Sequence, residues 1–290
     1  MKGVLLKNES LAKYTSWRVG GPAEKMYLPE NREDLIAFLK TLPEQENIYW
    51  LGLGSNLLVR DGGIKGTVIN TRGRLKDMQL IDTAKIYVEA GVPCAHVAKF
   101  GVGLGLVGAE FLAGIPGTIG GALKMNAGAF GGETWNIVDS VEMVNARGEV
   151  IKRAVDDFEV AYRSVKGIEG EWFISAELKL SQGEAELSQL KIKSLLEQRG
   201  ITQPTNKPTC GSVFKNPPGD YAARLIEASG LKGYVMGGAC VSEKHANFIE
   251  NTGDATAADI EALIAYIQQQ VKKQYGINLQ PEVCRVGEVL

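Results

Sequence analysis

Ser212 stands in TCGSVFKNP, residues 209–217, between a glycine and an apolar pair and just ahead of Lys215 and Asn216. A serine so placed invites a hydrolase reading. Yet the chain has no GxSxG elbow, and its two histidines, His96 and His245, stand in no triad context. Ser212 therefore reads as a proton donor or substrate contact rather than a nucleophile, with a capped turn as the plain structural alternative. Two other stretches offer backbone more than side chains. GLGSNLL, residues 52–58, follows the strand-like IYWL; its glycines let N–H groups approach a diphosphate, and Ser55 and Asn56 add donors. It is not GxGxxG and no helical pattern follows, which disfavours a dinucleotide-binding βαβ unit, although an ordinary tight turn would look the same. GAEFLAGIPGTIGGALKMNAGAFGGE, residues 108–133, holds eight glycines and almost no charge. So little side-chain bulk suggests backbone packed along a large flat ligand. The alternative, a Gly/Ala surface for helix packing, fits poorly with Thr118 and Asn126 interrupting it.

Periodicity and punctuation indicate the elements that carry these stretches. Asn31, with Asp34 three places on, marks a helix start whose apolar face is Leu35, Phe38 and Leu39 and which Pro43 stops. Strand-like runs follow at 48–51, 67–70 and 85–90, and alternation returns at 141–144 and 172–180, leaving the glycine-rich stretch at the centre of an α+β region. From residue 184 Leu187, Leu190, Ile192, Leu195 and Leu196 give a helical pattern that ends at Gly200 and is followed by a proline-rich connection, which puts a domain boundary near 182. A last helix starts at a capping box of Thr256 and Asp259, carries Ile260, Leu263, Ile264, Ile267 and Val271 on one face, and ends at Gly276. That face reads as core.

Composition narrows the partners. With 44% hydrophobic and 23% charged residues there is apolar surface enough for a real core. A net charge of −2 provides no basic field for a phosphate backbone, so nucleic-acid binding is not expected. The apolar run after Gly3 is too short for a signal peptide or a membrane span, and the expectation is a cytoplasmic protein without membrane insertion. Cys94, Cys210, Cys240 and Cys284 form no CxxC and have no nearby histidine pair, so they read as reduced thiols, and no metal site is expected.

Seven segments in order, TSWRVGGPA (15–23), LGLGSNLL (51–58), EFLAGIPGTIGGALKMNAGAFGGE (110–133), YRS (162–164), GSVFKNP (211–217), KHANFIEN (244–251) and PEV (281–283), make the chain resemble the UDP-N-acetylenolpyruvoylglucosamine reductases, the MurB family of peptidoglycan synthesis. The resemblance implies an α+β architecture. A two-lobed FAD-binding fold of the vanillyl-alcohol-oxidase (PCMH) type would span residues 1–182, with lobes of about 1–70 and 71–182. A smaller α+β substrate-binding domain would span 183–290, its C-terminal segment returning to the active site. The implied reaction is the NADPH-dependent, FAD-mediated reduction of the enolpyruvyl ether of UDP-N-acetylglucosamine to UDP-N-acetylmuramate, which serves cell-wall biogenesis, cell shape and division. NADPH is then co-substrate, a UDP-sugar is the substrate, and no obligate protein partner is expected.

The same resemblance assigns roles. Arg163, in YRS, reads the substrate carboxylate; Glu282, in PEV, sits beside it; Ser212 delivers the proton. The FAD set is Gly52, Gly54, Ser55, Asn56 and Leu57 in the first loop, with Gly114, Ile115, Pro116, Gly117, Thr118, Gly120, Gly121, Asn126 and Gly128 in the glycine-rich stretch. Neither His nor Cys occurs within 101–133, so the flavin is expected to be non-covalent. Arg199, Lys215 and Asn216 are the candidates for the diphosphate of the substrate, and His245 either faces the substrate phosphates or is structural. Two departures stand out. The short span from Ser164 to Trp172 resembles the branch of the family that lacks a loop whose tyrosine closes over substrate, so no such tyrosine is assigned. Cys284 follows PEV where the family would have a basic residue, and Arg285 comes one place later. An FAD-dependent oxidase of the same fold is the alternative; a non-catalytic nucleotide-binding protein leaves Arg163, Ser212 and Glu282 without a joint explanation.

Overall fold

The first helix begins where its sequence requires. In the computed structural model, which describes residues 1–290, the Asn31 side chain accepts the Asp34 N–H at 2.9 Å and caps helix α1, Arg32–Leu39. Leu35 and Leu39 are buried with Ile69, Val144 and Ile174. Arg32 makes a two-pronged ion pair with Glu142 at 2.6 and 2.8 Å, which ties the helix to a central strand.

The chain divides into two compact units: Met1–Leu6, Met26–Leu53 and Gly66–Gln198 form unit 1, and Lys7–Lys25, Gly54–Lys65 and Arg199–Leu290 form unit 2. Unit 1 is built on a five-stranded antiparallel sheet in the order Val150–Ala154, Val138–Asn145, Glu171–Lys179, Lys85–Glu89, Met78–Asp82. Successive residues point to opposite faces. Met143 and Phe173 accordingly join one core, and Val144 and Ile174 join the other, under α1. The first core is closed by α2, Cys94–Gly103, and α3, Ile119–Met125. Beside the sheet, Ile48–Leu51 runs parallel to Thr67–Asn70 of the strand Ile64–Asn70.

Helix α3 lies inside the glycine-rich stretch, where the sequence reading had no helix. Packing overrides the weak propensity of Gly120 and Gly121: a Cβ on Gly120 would lie 2.9 Å from the Cβ of Ala90. The helix-packing alternative thus holds at this position. Helix α4, Ala185–Thr202, forms as expected, but its leucine face is not the buried one. Only Ser188 and Ile192 are buried, whereas Leu187 and Leu190 are 60% and 63% exposed. Ser188 donates to the buried Glu110 carboxylate at 2.8 Å, so a narrow i, i+4 stripe holds this helix down. The chain leaves unit 1 within α4, between Gln198 and Arg199, whereas the sequence put a boundary near 182.

In unit 2, α5, Ala222–Ala228, and α6, Ala257–Tyr275, share a core with Trp17, Val19 and Leu58. Trp17 Nε1 donates to the Ile249 carbonyl at 2.7 Å, and Asn251 Nδ2 donates to the Trp17 carbonyl at 2.8 Å. Thr256 and Asp259 form the expected capping box, Asp61 accepts the Ala257 and Ala258 N–H groups at 3.0 and 2.9 Å, and Gly276 ends α6 at φ 70°. Leu57–Val59 pairs in parallel with Cys284–Val286. No helix is long and apolar enough to cross a membrane.

Candidate active site

Arg163 occupies a two-residue turn. The ribbon strands Glu159–Ala161 and Ser164–Lys166 pair so that Ala161 faces Ser164, with Tyr162 and Arg163 between them. Its φ of 52° is left-handed, a conformation that costs a residue with a Cβ roughly 1–2 kcal/mol. The guanidinium donates to the carbonyls of Asn126 at 3.2 Å and Gly128 at 2.7 Å and lies 5.1 Å from the Tyr162 ring centroid. Main chain of the glycine-rich stretch therefore orients a planar fork. Gly128 must be glycine for this: a Cβ there would lie 2.5 Å from the Gly132 carbonyl oxygen and 2.9 Å from Arg163 Nη1.

Asn126 ends α3 at φ 46° and is almost fully buried. Its amide donates to Glu133 at 2.9 Å and to the Ala161 carbonyl at 3.2 Å, and accepts the Trp135 N–H at 3.2 Å. The side chain expected to face the cofactor is thus engaged within the segment, and what Asn126 offers Arg163 is its carbonyl. Among the other glycine-rich positions, Gly114, Ile115 and Thr118 are buried, Pro116 and Gly121 are exposed, and the Gly117 carbonyl accepts the Cys94 N–H at 2.9 Å. Trp50, Gly52, Thr118, Gly120, Gly121 and Trp172 are among the residues lining a cavity of about 340 Å³ in unit 1. The Trp50 and Trp172 rings stack at 5.6 Å, and Trp50 Nε1 is buried without a hydrogen-bond partner.

Ser212, Glu282 and the loop Gly54–Leu57 all belong to unit 2. Gly54 has φ 62°, and a Cβ on it would run into the Tyr14 carbonyl. Its own carbonyl accepts the Ser16 N–H at 3.1 Å and the Cys210 thiol at 3.5 Å, and that thiol also reaches the Leu57 carbonyl at 3.4 Å. Asn56 Nδ2 donates to the Glu282 carbonyl at 3.2 Å, and the Cys284 N–H donates to the Asn56 carbonyl at 3.1 Å, joining the expected diphosphate loop to the PEV segment. Ser212 is half-buried. On its C-terminal side the Val213 carbonyl accepts the Glu282 N–H at 2.8 Å, and the Lys215 N–H donates to the Gln280 carbonyl at 2.9 Å.

The expected substrate residues have mixed placements. Asn216 is exposed, and its Oδ1 accepts the Ala222 N–H at 3.1 Å at the start of α5. Arg199 is half-buried, contacts Gln203 Oε1 at 3.3 Å through Nε, and is pulled below the usual guanidinium range by burial. His245 packs edge-on against Phe248, accepts the Asn247 N–H at Nδ1 and is pushed down by burial, which keeps the ring neutral at pH 7. Arg285, one place after Cys284, lies 3.6 Å from Glu261, which also binds Arg60. Asn247 escaped the sequence reading, although a buried amide within the otherwise apolar ANFI was the available signal.

Residues 203–286 match the C-terminal domain of UDP-N-acetylenolpyruvoylglucosamine reductase, and residues 23–153 match an FAD binding domain. A UDP-N-acetylenolpyruvoylglucosamine reductase of Methylococcus capsulatus is 60% identical over 287 residues, which cover 99% of this chain and 94% of that one. The chain belongs to the UDP-N-acetylenolpyruvoylglucosamine reductase family. One from Legionella pneumophila is 59% identical over 288 residues, 99% of this chain and 94% of its own. The crystal structure of the Thermus caldophilus reductase superposes with a TM-score of 0.84 at 32% identity, covering 98% of this chain and 99% of that one. The expected α+β fold with an FAD-binding domain is thereby borne out, and the chain is an FAD-containing oxidoreductase. The unit 1 cavity offers that cofactor an orphaned buried indole N–H, that of Trp50, and Gly52 leaves the wall beside Thr118 without a side chain.

Proposed function

We propose that the chain reduces the enolpyruvyl ether of UDP-N-acetylglucosamine to UDP-N-acetylmuramate with Arg163, Ser212 and Glu282 as its catalytic groups. Bound FAD supplies the two-electron chemistry that connects NADPH to the substrate double bond. Hydride addition at the terminal carbon builds negative charge on the carbon bearing the ether oxygen and the carboxylate, an enediolate-like species that calls for fixed donors. Arg163 supplies a permanently charged planar fork for that carboxylate. Glu282 assists it by holding a proton or by orienting a neighbour. Ser212 gives its proton to the second carbon; a hydroxyl can do so only in a nearly dry site facing so strong a base.

For the cofactor, the backbone of Gly52, Gly54, Ser55, Asn56 and Leu57 is assigned to the diphosphate, and the glycine-rich stretch to the rest. For the substrate diphosphate we assign Arg199, Lys215 and the amide nitrogen of Asn216. His245, being neutral, would act there as a hydrogen-bond donor. A flavin-binding part followed by a substrate-binding part is supported by the separate family matches over 23–153 and 203–286, while Lys7–Lys25 and Gly54–Lys65 belong with the C-terminal residues in unit 2. A cytoplasmic location is consistent with four free cysteines. An oxidase activity is not favoured, because relatives near 60% identity carry the reductase name.

The observation that carries the reading is the 2.8 Å hydrogen bond from the Glu282 N–H to the Val213 carbonyl, which joins PEV to the residue after Ser212. Ser212→Ala tests it. Stopped-flow should show flavin reduction by NADPH unchanged and reoxidation by substrate slowed by about 100-fold or more, the range for loss of a general acid. Reoxidation at the native rate, or loss of the reduction step instead, would move the proton donor elsewhere.

A further inference from the structure

We propose that Asn247 is a positioning residue that sets the Ser212 hydroxyl against Glu282; the proposal rests on Ser212 being the proton donor. Asn247 is 4% exposed and spends its amide on one residue of the serine segment: Oδ1 accepts the Phe214 N–H at 3.0 Å and Nδ2 donates to the Phe214 carbonyl at 2.8 Å. Its main-chain carbonyl accepts the Val213 N–H at 2.9 Å. Val213 passes the restraint on, since its carbonyl takes the Glu282 N–H at 2.8 Å. Ser212 is therefore followed by two residues locked to Asn247 and, through Val213, to Glu282.

On its other side Ser212 follows Gly211, which has φ 72°. A glycine transmits little restraint. The direction of the Ser212 side chain is thus fixed from the C-terminal side, by the peptide units that Asn247 grips. The amide is needed because it presents a donor and an acceptor at once. Aspartate keeps the acceptor for the Phe214 N–H but turns an oxygen toward the Phe214 carbonyl, leaving a buried acceptor opposed to an acceptor. Serine is shorter and reaches at most one of the two partners.

The test compares Asn247→Asp and Asn247→Ser with Ser212→Ala and with each double variant, using the holoenzyme, NADPH and the enolpyruvyl UDP-sugar. In the Asn247 variants flavin reduction and the substrate Kd, read from perturbation of the flavin spectrum, should stay within about threefold of native, while reoxidation slows by about tenfold or more. Each double variant should reoxidise no more slowly than Ser212→Ala alone, because residues acting through one group are not additive. Hydrogen exchange on the apoprotein of Asn247→Ser should show lost protection at Phe214, whose N–H the Asn247 side chain accepts. Where Asn247→Asp does not fold, Asn247→Ser carries the comparison. Native reoxidation in a folded Asn247 variant, a weakened Kd that accounts for the whole loss, or slowing that multiplies with Ser212→Ala overturns the proposal. Native reoxidation in Ser212→Ala overturns the reading of the serine itself, so the two failures are told apart.

Discussion

Arg163 Nη2 donates to the Gly128 carbonyl at 2.7 Å, so the main chain of the glycine-rich stretch decides where the guanidinium points. Arg163→Lys should keep the charge and lose the fork, and turnover should fall by about 100-fold or more, the scale of removing a preorganised donor. Steady-state kinetics at full flavin content checks this, and near-native turnover would take Arg163 out of the site. Gly128→Ala should give a smaller loss of the same kind, by pushing on Arg163 Nη1 without touching its charge.

The protein should purify yellow, and acid precipitation should release all of the flavin to the supernatant; colour kept by the pellet would mean a covalent link. Gly54→Val should remove flavin, but through the fold more than through direct exclusion. Its left-handed φ and the Tyr14 carbonyl oppose any side chain, a cost above about 1 kcal/mol. Melting temperature and flavin content should therefore fall together, and a variant with both unchanged would disprove the assignment of this loop.

Local signals were legible in the sequence and long-range ones were not. Asn31 with Asp34, and Thr256 with Asp259 and Gly276, announce helix ends because a cap is satisfied within a few residues. The glycine-rich stretch was visible as a place for close backbone approach, but α3 within it was not, since what stabilises Gly120 there is Ala90. The leucines of α4 have the right period for a buried face, yet Ser188 and Glu110 decide which side is covered, and a buried hydroxyl leaves no periodic trace. Ser212 was singled out from its neighbours in sequence. Asn247 was missed because its partners, Val213 and Phe214, are distant in the chain.

The thiols should differ sharply in reactivity. Burial pushes Cys94 and Cys210 up to about 12, and Cys210 also donates to two carbonyls. Cys240 is half-buried and raised by burial, and Cys284 is exposed. Iodoacetamide labelling of the native protein followed by mass spectrometry should modify Cys284 first and Cys240 slowly, with Cys94 and Cys210 reacting only after denaturation. Early labelling of Cys210 would contradict its burial beside the Gly54 loop.

His245 gives stability a pH dependence of known sign. Burial lowers its folded pKa below the ordinary 6.5, so in the window beneath 6.5 the unfolded chain binds a proton that the folded chain does not. Its contribution is complete above that pH and is lost as pH falls toward the folded value. Denaturant titrations at pH 7.5 and 5.5 should show a drop in stability that His245→Gln reduces. An equal drop in both proteins would assign the acid sensitivity to other groups.

Unit 2 is gathered from three separate stretches, Lys7–Lys25, Gly54–Lys65 and Arg199–Leu290. On the ribosome, every residue of unit 1 has been synthesised once Gln198 is added, while Trp17, Val19 and Leu58 must wait for α5 and α6 to be made before they can be buried. Vectorial synthesis thus favours early closure of unit 1 and leaves Trp17, Val19 and Leu58 open to chaperones until α6 is made. A fragment starting at Arg199 would lack Trp17 from its core and the strand beside Cys284–Val286. The family's C-terminal domain, in this chain, is not a piece that can be cut free and expected to fold.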